Sequence, residues 1–294
     1  MTGRIVVGID GSQQSGTALE WAVARARLGG EQLELVNAYT LAPDLNFYGY
    51  QGLAGSQPVD WFTEFSEQLL DAAAARVREL APELSFTQSS KLGHPAYALA
   101  SASVGAEALV VGRRGLGTAA SALLGSVSNR LAIEAQCPLV VVGEGDVPTS
   151  GPIVVGVDGS EFGTHALRYA LVEAALRKTS VRAVAAYDLL HPAFRGDPEM
   201  IARMQADVAG EAADTVSRAL DELGDAVPSS VTVDQVAVED RPADAILAHA
   251  ADAQLIVVGT HGKGFVRRVL LGSVSRRVLA DADRPVAIVD LPAH

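Results

Sequence analysis

The chain has 294 residues, about two domains' worth at roughly 150 residues each. It is 49% hydrophobic, 20% charged and 5% aromatic, with 28 Gly and 13 Pro, a globular profile that excludes wholesale disorder. Acidic residues outnumber basic ones 35 to 23, a net charge of −12, which argues against a phosphate-tracking nucleic-acid partner. The single cysteine, Cys137, excludes an intramolecular disulfide and a cysteine-rich metal site. No apolar run is long enough to span a bilayer, and the start runs directly into a strand with no signal-peptide pattern. A cytoplasmic protein without membrane partners is the simplest expectation.

In chain order, residues 4–9 read as a buried strand with almost no polar residue. From 17 to 28, Ala18, Leu19, Ala22, Val23 and Ala26 fall at helical spacing. Residues 33–38 read as a second strand, 62–80 as a helix ended by Pro82, and 84–88 as a third strand. A helix over 96–104, a strand over 108–111, a helix over 126–135 and a strand over 138–142 complete the set.

The whole pattern then repeats. IVVGIDGS at 5–12 returns as IVVGVDGS at 153–160, and GRRG at 112–115 as GTHG at 259–262. LLGSVSNRLAIEAQCPLVVV at 123–142 answers LLGSVSRRVLADADRPVAIV at 270–289. A period near 148 residues makes each copy a whole domain rather than a solenoid unit. The Gly/Pro/Asp/Ser-rich stretch 143–152 reads as the linker, giving domains 1–146 and 151–294. Apolar strands alternating with helices predict the α/β class: two tandem open parallel-sheet sandwiches of about five strands each, Rossmann-like in plan.

In such a sheet, ligands bind beyond the carboxyl ends of the strands, where the strand order reverses. Two segments per copy carry loop chemistry at such ends. One is Asp10-Gly11-Ser12, with Asp158-Gly159-Ser160 in the second copy. The other runs from Gly112 through Gly115 to Gly125-Ser126, with Gly259, Gly262 and Gly272-Ser273 at identical spacing. Glycines let backbone N–H groups approach a phosphate closely, and a helix start offers unpaired N–H groups and a positive dipole end. Ser126 also suits a plain N-cap. Asp10 and Asp158 fit an Asx-type turn as well as a carboxylate beside a ribose hydroxyl or a cation. Ile9 and Val36, with Val157 and Val184, offer a base-sized apolar slot.

These motifs, in order and twice over, resemble the universal stress protein family, in its tandem two-domain, actinobacterial-type form. The resemblance implies that strand one lies beside strand four. It also implies ATP binding by members with the full glycine loop. It would place Asp10, Gly112, Gly115, Gly125, Ser126 and Val127 around one ATP site. Asp158, Gly259, Gly262, Gly272, Ser273 and Val274 would surround the other. It implies a stress-response regulator, a homodimer, regulatory protein partners, and Mg2+ as a candidate companion of the nucleotide.

The copies depart from one another at Gly93-His94-Pro95 against Asp240-Arg241-Pro242. They also differ after strand two, where only the first copy has Phe47, Tyr48, Tyr50 and Trp61. Arg113, Arg114, Lys263, Arg267, Arg268, Arg276 and Arg277 cluster in sequence around the glycine loops, which suggests charge-assisted contacts to phosphate. The histidines show no metal-ligand spacing, and Cys137 reads as a plain side chain. No G-x-x-x-x-G-K-[ST] motif occurs, so any triphosphate is held without a Walker-type lysine. Fast hydrolysis therefore has no support. A slow ATPase or nucleotidyl-transfer enzyme and a nucleotide-independent interaction module remain the alternatives.

Overall fold

A computed structural model of the chain describes residues 3–40, 58–115, 125–145, 147–187, 198–262 and 270–291. The chain divides into two compact units, Met1–Asp146 and Val147–His294.

The first unit runs β1 (Arg4–Gly8), α1 (Gln13–Gly29), β2 (Gln32–Tyr39), α2 (Pro58–Leu80), β3 (Phe86–Leu92), α3 (Pro95–Ala102), β4 (Ala108–Gly112), α4 (Ser126–Glu134) and β5 (Leu139–Val142). The second repeats it as β6 (Ile153–Gly156), α5 (Glu161–Arg177), β7 (Val181–Tyr187), α6 (Pro198–Leu223), β8 (Val233–Glu239), α7 (Pro242–Ala248), β9 (Leu255–Gly259), α8 (Ser273–Asp281) and β10 (Val286–Val289). Within each unit the strands are parallel, in the order β3-β2-β1-β4-β5 and β8-β7-β6-β9-β10. The two α/β sandwiches are therefore built alike.

Burial explains the apolar runs. Ile5, Val6 and Val7 of β1 and Leu109 and Val110 of β4 are fully enclosed, because helices cover both faces of a parallel sheet. α1 packs with α2, and α3 with α4, which supplies the two outer layers. α1 turns Ala18, Leu19, Trp21 and Ala22 inward, as its spacing predicts. It begins four residues earlier than the apolar pattern, because the Ser12 side chain accepts the N–H of Ser15 and caps the first turn.

The third strand is a correction. Expected over 84–88 and apolar throughout, it runs Phe86–Leu92 and is largely exposed, as is β8. Its register comes from backbone pairing with β2, from Leu33 opposite Phe86 to Tyr39 opposite Leu92.

In each unit the strand order reverses at the first strand. β1 pairs with β2 on one side and with β4 on the other, and β6 does the same with β7 and β9. The chain leaves β1 and β4 on opposite faces, and a crevice opens between the two exits.

Candidate functional site

Each crevice is a cavity, of about 260 Å³ in the first unit and about 450 Å³ in the second. All twelve residues singled out in the sequence line them: Asp10, Gly112, Gly115, Gly125, Ser126 and Val127 in one. Asp158, Gly259, Gly262, Gly272, Ser273 and Val274 line the other. Ile9 and Val36, and Val157 and Val184, form part of the apolar walls.

The first wall is the turn after β1. Gly11 adopts a positive φ of 81°, and Gly159 one of 76°, a conformation that disfavours any side chain. The turn carries the chain back so that Asp10 Oδ1 accepts from the Ser12 N–H at 2.9 Å and the Ser12 hydroxyl at 2.6 Å. Asp158 Oδ1 does the same with Ser160, at 3.0 and 2.6 Å. The Asx turn is thus real, and it occupies one carboxylate oxygen. The other oxygen faces the second wall: a Cβ on Gly115 would stand 2.2 Å from Asp10 Oδ2, and one on Gly262 2.6 Å from Asp158 Oδ2. Only glycine lets the loop pass this close to the carboxylate.

The second wall is the loop after β4. The Gly125 N–H donates to Arg113 O at 2.9 Å, and the Gly272 N–H to Thr260 O at 2.9 Å, closing the base of each loop. Ser128 Oγ donates to Arg113 O, and Ser275 Oγ to Gly259 O, fixing the helix that follows.

That helix start differs from the capping expectation for Ser126. The N-cap is Gly125, with no side-chain cap bond, and Ser126 is already the first helical residue. Gly272 and Ser273 repeat the arrangement. The first intrahelical bond is donated by Asn129 to Gly125 O, and by Arg276 to Gly272 O. The N–H groups of Ser126, Val127 and Ser128 precede it, so the helix itself offers them no acceptor. Because these residues line the cavity, the positive end of the helix opens into it. A Ser, Thr or Asp cap would have blocked that end.

Among the described residues, one member of the cationic cluster read from the sequence, Arg114, lines a cleft, and Arg113, Arg276 and Arg277 do not. Arg277 pairs with Asp244 at 2.6 Å and Asp281 at 3.5 Å. The Arg113 guanidinium lies over Gly143. Arg114 alone of the named arginines lines the first cavity, and none of them the second among the described residues. Lys263, Arg267, Arg268, Phe47, Tyr48 and Tyr50 lie outside the described residues, and Trp61 is exposed.

Sequence reasoning missed the residues that make the sites differ. Gln14 Oε1 accepts from the Arg114 backbone N–H at 2.6 Å, while its Nε2 donates to Glu144 at 2.8 Å. In the second unit the corresponding position is Phe162, whose ring lies 5.2 Å from that of His261, the counterpart of Arg114. Thr215, Glu211 and Arg218 of α6 extend the second cavity, with no equivalent on α2 among the residues lining the first. The available signal was the contrast between copies at 14 and 162, an amide in one and an aromatic ring in the other, just after the shared Asp-Gly-Ser turn.

Two further expectations concern metals and thiols. Among the described residues no group of three or more His, Cys, Asp or Glu side chains could hold a metal ion. Burial pushes the Cys137 thiol up to about 12, which keeps it protonated. No helix among the described residues is long and apolar enough to cross a membrane.

Comparison with known proteins agrees with this architecture. The sequence profile of the universal stress protein family matches residues 1–143 and again 150–290. A universal stress protein of Mycobacterium bovis is 33% identical over 305 residues, covering 98% of this chain and 95% of the relative. Another, from Mycobacterium tuberculosis, is 31% identical over 298 residues, covering 97% and 96%. The crystal structure of a universal stress protein from Archaeoglobus fulgidus superposes with a TM-score of 0.69 at 20% identity, over 98% of both chains. With two matched domains and relatives that share its full length, this chain belongs to the universal stress protein family.

Proposed function

We propose that the chain is a nucleotide-dependent regulator that binds ATP, one molecule in each domain, and that its bound state rather than chemistry selects its partners. The observation that carries this reading is the uncapped helix start in each crevice. With Gly125 and Gly272 as caps, the N–H groups of the residues that follow open into a cavity without a capping side chain in the way. In a chain of net charge −12, main-chain amides and helix dipoles supply what lysines supply elsewhere.

The residues fit a nucleoside triphosphate. The apolar slot at Ile9 and Val36, or Val157 and Val184, takes the base. Asp10 or Asp158 takes a ribose hydroxyl or a cation. The loop and helix amides take the phosphates. Mg2+ would be held mainly by the phosphates, with at most one carboxylate from the protein, in keeping with the absence of a multi-carboxylate cluster among the described residues. Homodimeric assembly, cytoplasmic location and regulatory protein partners belong to the same reading and rest on the family alone.

The test is direct. Mass spectrometry of small molecules released from freshly purified protein should find adenine nucleotide, and calorimetry of the stripped chain should show two ATP per chain. Finding neither released nucleotide nor binding heat would sink the reading.

A further inference from the structure

The second cavity holds a histidine where the first holds an arginine, and its hydrogen bonds define its protonation. His261 Nε2 lies 2.6 Å from Leu270 O, a carbonyl that only accepts, so this nitrogen carries a proton. Nδ1 lies 3.1 Å from Thr260 Oγ1. That hydroxyl donates its own proton to Asp290 Oδ1 at 3.0 Å, so it can only accept from the ring. Both contacts are made together only when His261 carries two protons and a positive charge. Loss of one proton breaks the link to Thr260 and removes the charge.

In the first domain the same loop position is Arg114, which is cationic at every physiological pH. Arg114 lines its cavity, has a buried Nε without a hydrogen-bond partner, and makes no ion pair among the described residues. Among the described residues, these charged groups surround His261. Asp290 follows β10 and is reached through Thr260. Asp158 follows β6, with Oδ2 close to Gly262. Glu211 and Arg218 of α6 line the same cavity. α5 presents the Phe162 ring, α7 presents Pro242 and Ile246, and the start of α8 presents Ser273 and Val274.

Resting on the ATP-site reading above, we propose that His261 makes the second cleft proton-gated. It holds an anionic polyphosphate tail more tightly when the ring is doubly protonated, whereas Arg114 keeps the charge of the first cleft constant. The two sites of one chain then respond differently to acidification.

The experiment uses the full chain with Gly115→Glu, which places a carboxylate against Asp10 and removes the first site from the titration. ATP is titrated calorimetrically near pH 5.5 and near pH 8 into this chain and into its His261→Arg and His261→Gln versions. Dividing each affinity by that of the His261→Arg chain at the same pH cancels the protonation of ATP itself. The His261 chain should lose about three- to tenfold of relative affinity between the two pH values, while the His261→Gln chain stays flat. Equal pH slopes in all three chains overturn the gating and leave ATP binding standing. No heat in any chain, including one with Gly115 intact, overturns ATP binding itself. Nitrogen-15 spectra of the wild-type ring add a ligand-free readout. They should show two protonated ring nitrogens at about pH 5.5 and one at about pH 8, and a ring of constant charge overturns the gating.

Discussion

At the second residue of the helix after the first strand, the first domain carries Gln14 and the second Phe162, set against Arg114 and His261 respectively. In the first, an amide holds the loop by a hydrogen bond and is itself held by Glu144. In the second, a tilted aromatic contact does the holding. The glycines, the Asx turns and the bare helix starts coincide in both. The two copies have therefore kept the backbone and the Asp and Ser side chains of the cleft and changed the side chains that hold its loop. A second contrast lies deeper: Arg25 of α1 pairs with Glu31, whereas its counterpart on α5 is an acid, Glu173, paired with Arg177. The sign of the buried charge has reversed while the pair survives.

The largest expected effect tests that reversal. Arg25 and Glu31 are both about nine-tenths buried, so Arg25→Leu leaves a carboxylate interred without its guanidinium and should cost about 3–5 kcal/mol. Both tryptophans, Trp21 and Trp61, lie in the first domain, so denaturant titration followed by their fluorescence reports this loss selectively. Glu173→Leu should cost the second domain less, because Arg177 keeps a 3.2 Å hydrogen bond to Gln254. Equal costs would show that the two pairs are energetically the same device.

Next in size is the cleft itself. Gly115→Glu and Gly262→Glu each place a carboxylate against Asp10 or Asp158 and should weaken ATP at their own site by about 100-fold or more, roughly 2.7 kcal/mol. Calorimetric stoichiometry should fall from two to one in each single variant and to none in the double. A single variant that empties both sites would mean that the clefts are coupled rather than parallel.

How much of this was legible beforehand follows from what each feature needs. The buried strands and the cleft glycines were readable, because a two-faced parallel sheet demands unbroken apolar runs and a close backbone approach demands the absence of a Cβ. β3 was misplaced because FTQSSKL is mostly exposed and is set by its ladder with β2, and backbone pairing leaves no pattern in side chains. Gln14 and Phe162 escaped notice because matching one repeat to the other rewards sameness, and these residues work through difference. Of the cations near the loops in sequence, Arg114 lines the first cavity while Arg277 pairs with Asp244, because nearness in sequence to a loop says nothing of which way a helix turns a side chain.

A smaller contrast sits at the ends of α1 and α5. Gly30 closes the first in the left-handed conformation at φ 76°, and Lys178 closes the second at φ 53°. Lys178→Gly should stabilise the second domain by about 0.5–1 kcal/mol, read from its denaturation midpoint, while Gly30→Lys should cost the first domain a similar amount. Smallest of all, Cys137 should barely alkylate in the folded chain near pH 8. A thiol pushed up to about 12 yields little thiolate until the pH nears that value, whereas unfolding should release ordinary reactivity. Rapid labelling of the native protein would break this expectation.

The guanidinium of Arg4, on β1, reaches the carbonyl of Ala102 at the end of α3 and pairs with Glu34 on β2. In the second domain the matching carbonyl, that of His249, is met by Arg182, which stands on β7 where the first domain has Glu34. The strand position equivalent to Arg4 is Pro152. The halves are consequently not interchangeable segment by segment. Moving the first strand of one half into the other would crowd two cations together or leave a helix end with none. A chimera must carry the two adjoining strands as a block, and the same bookkeeping restrains recombination between the halves from making them alike again.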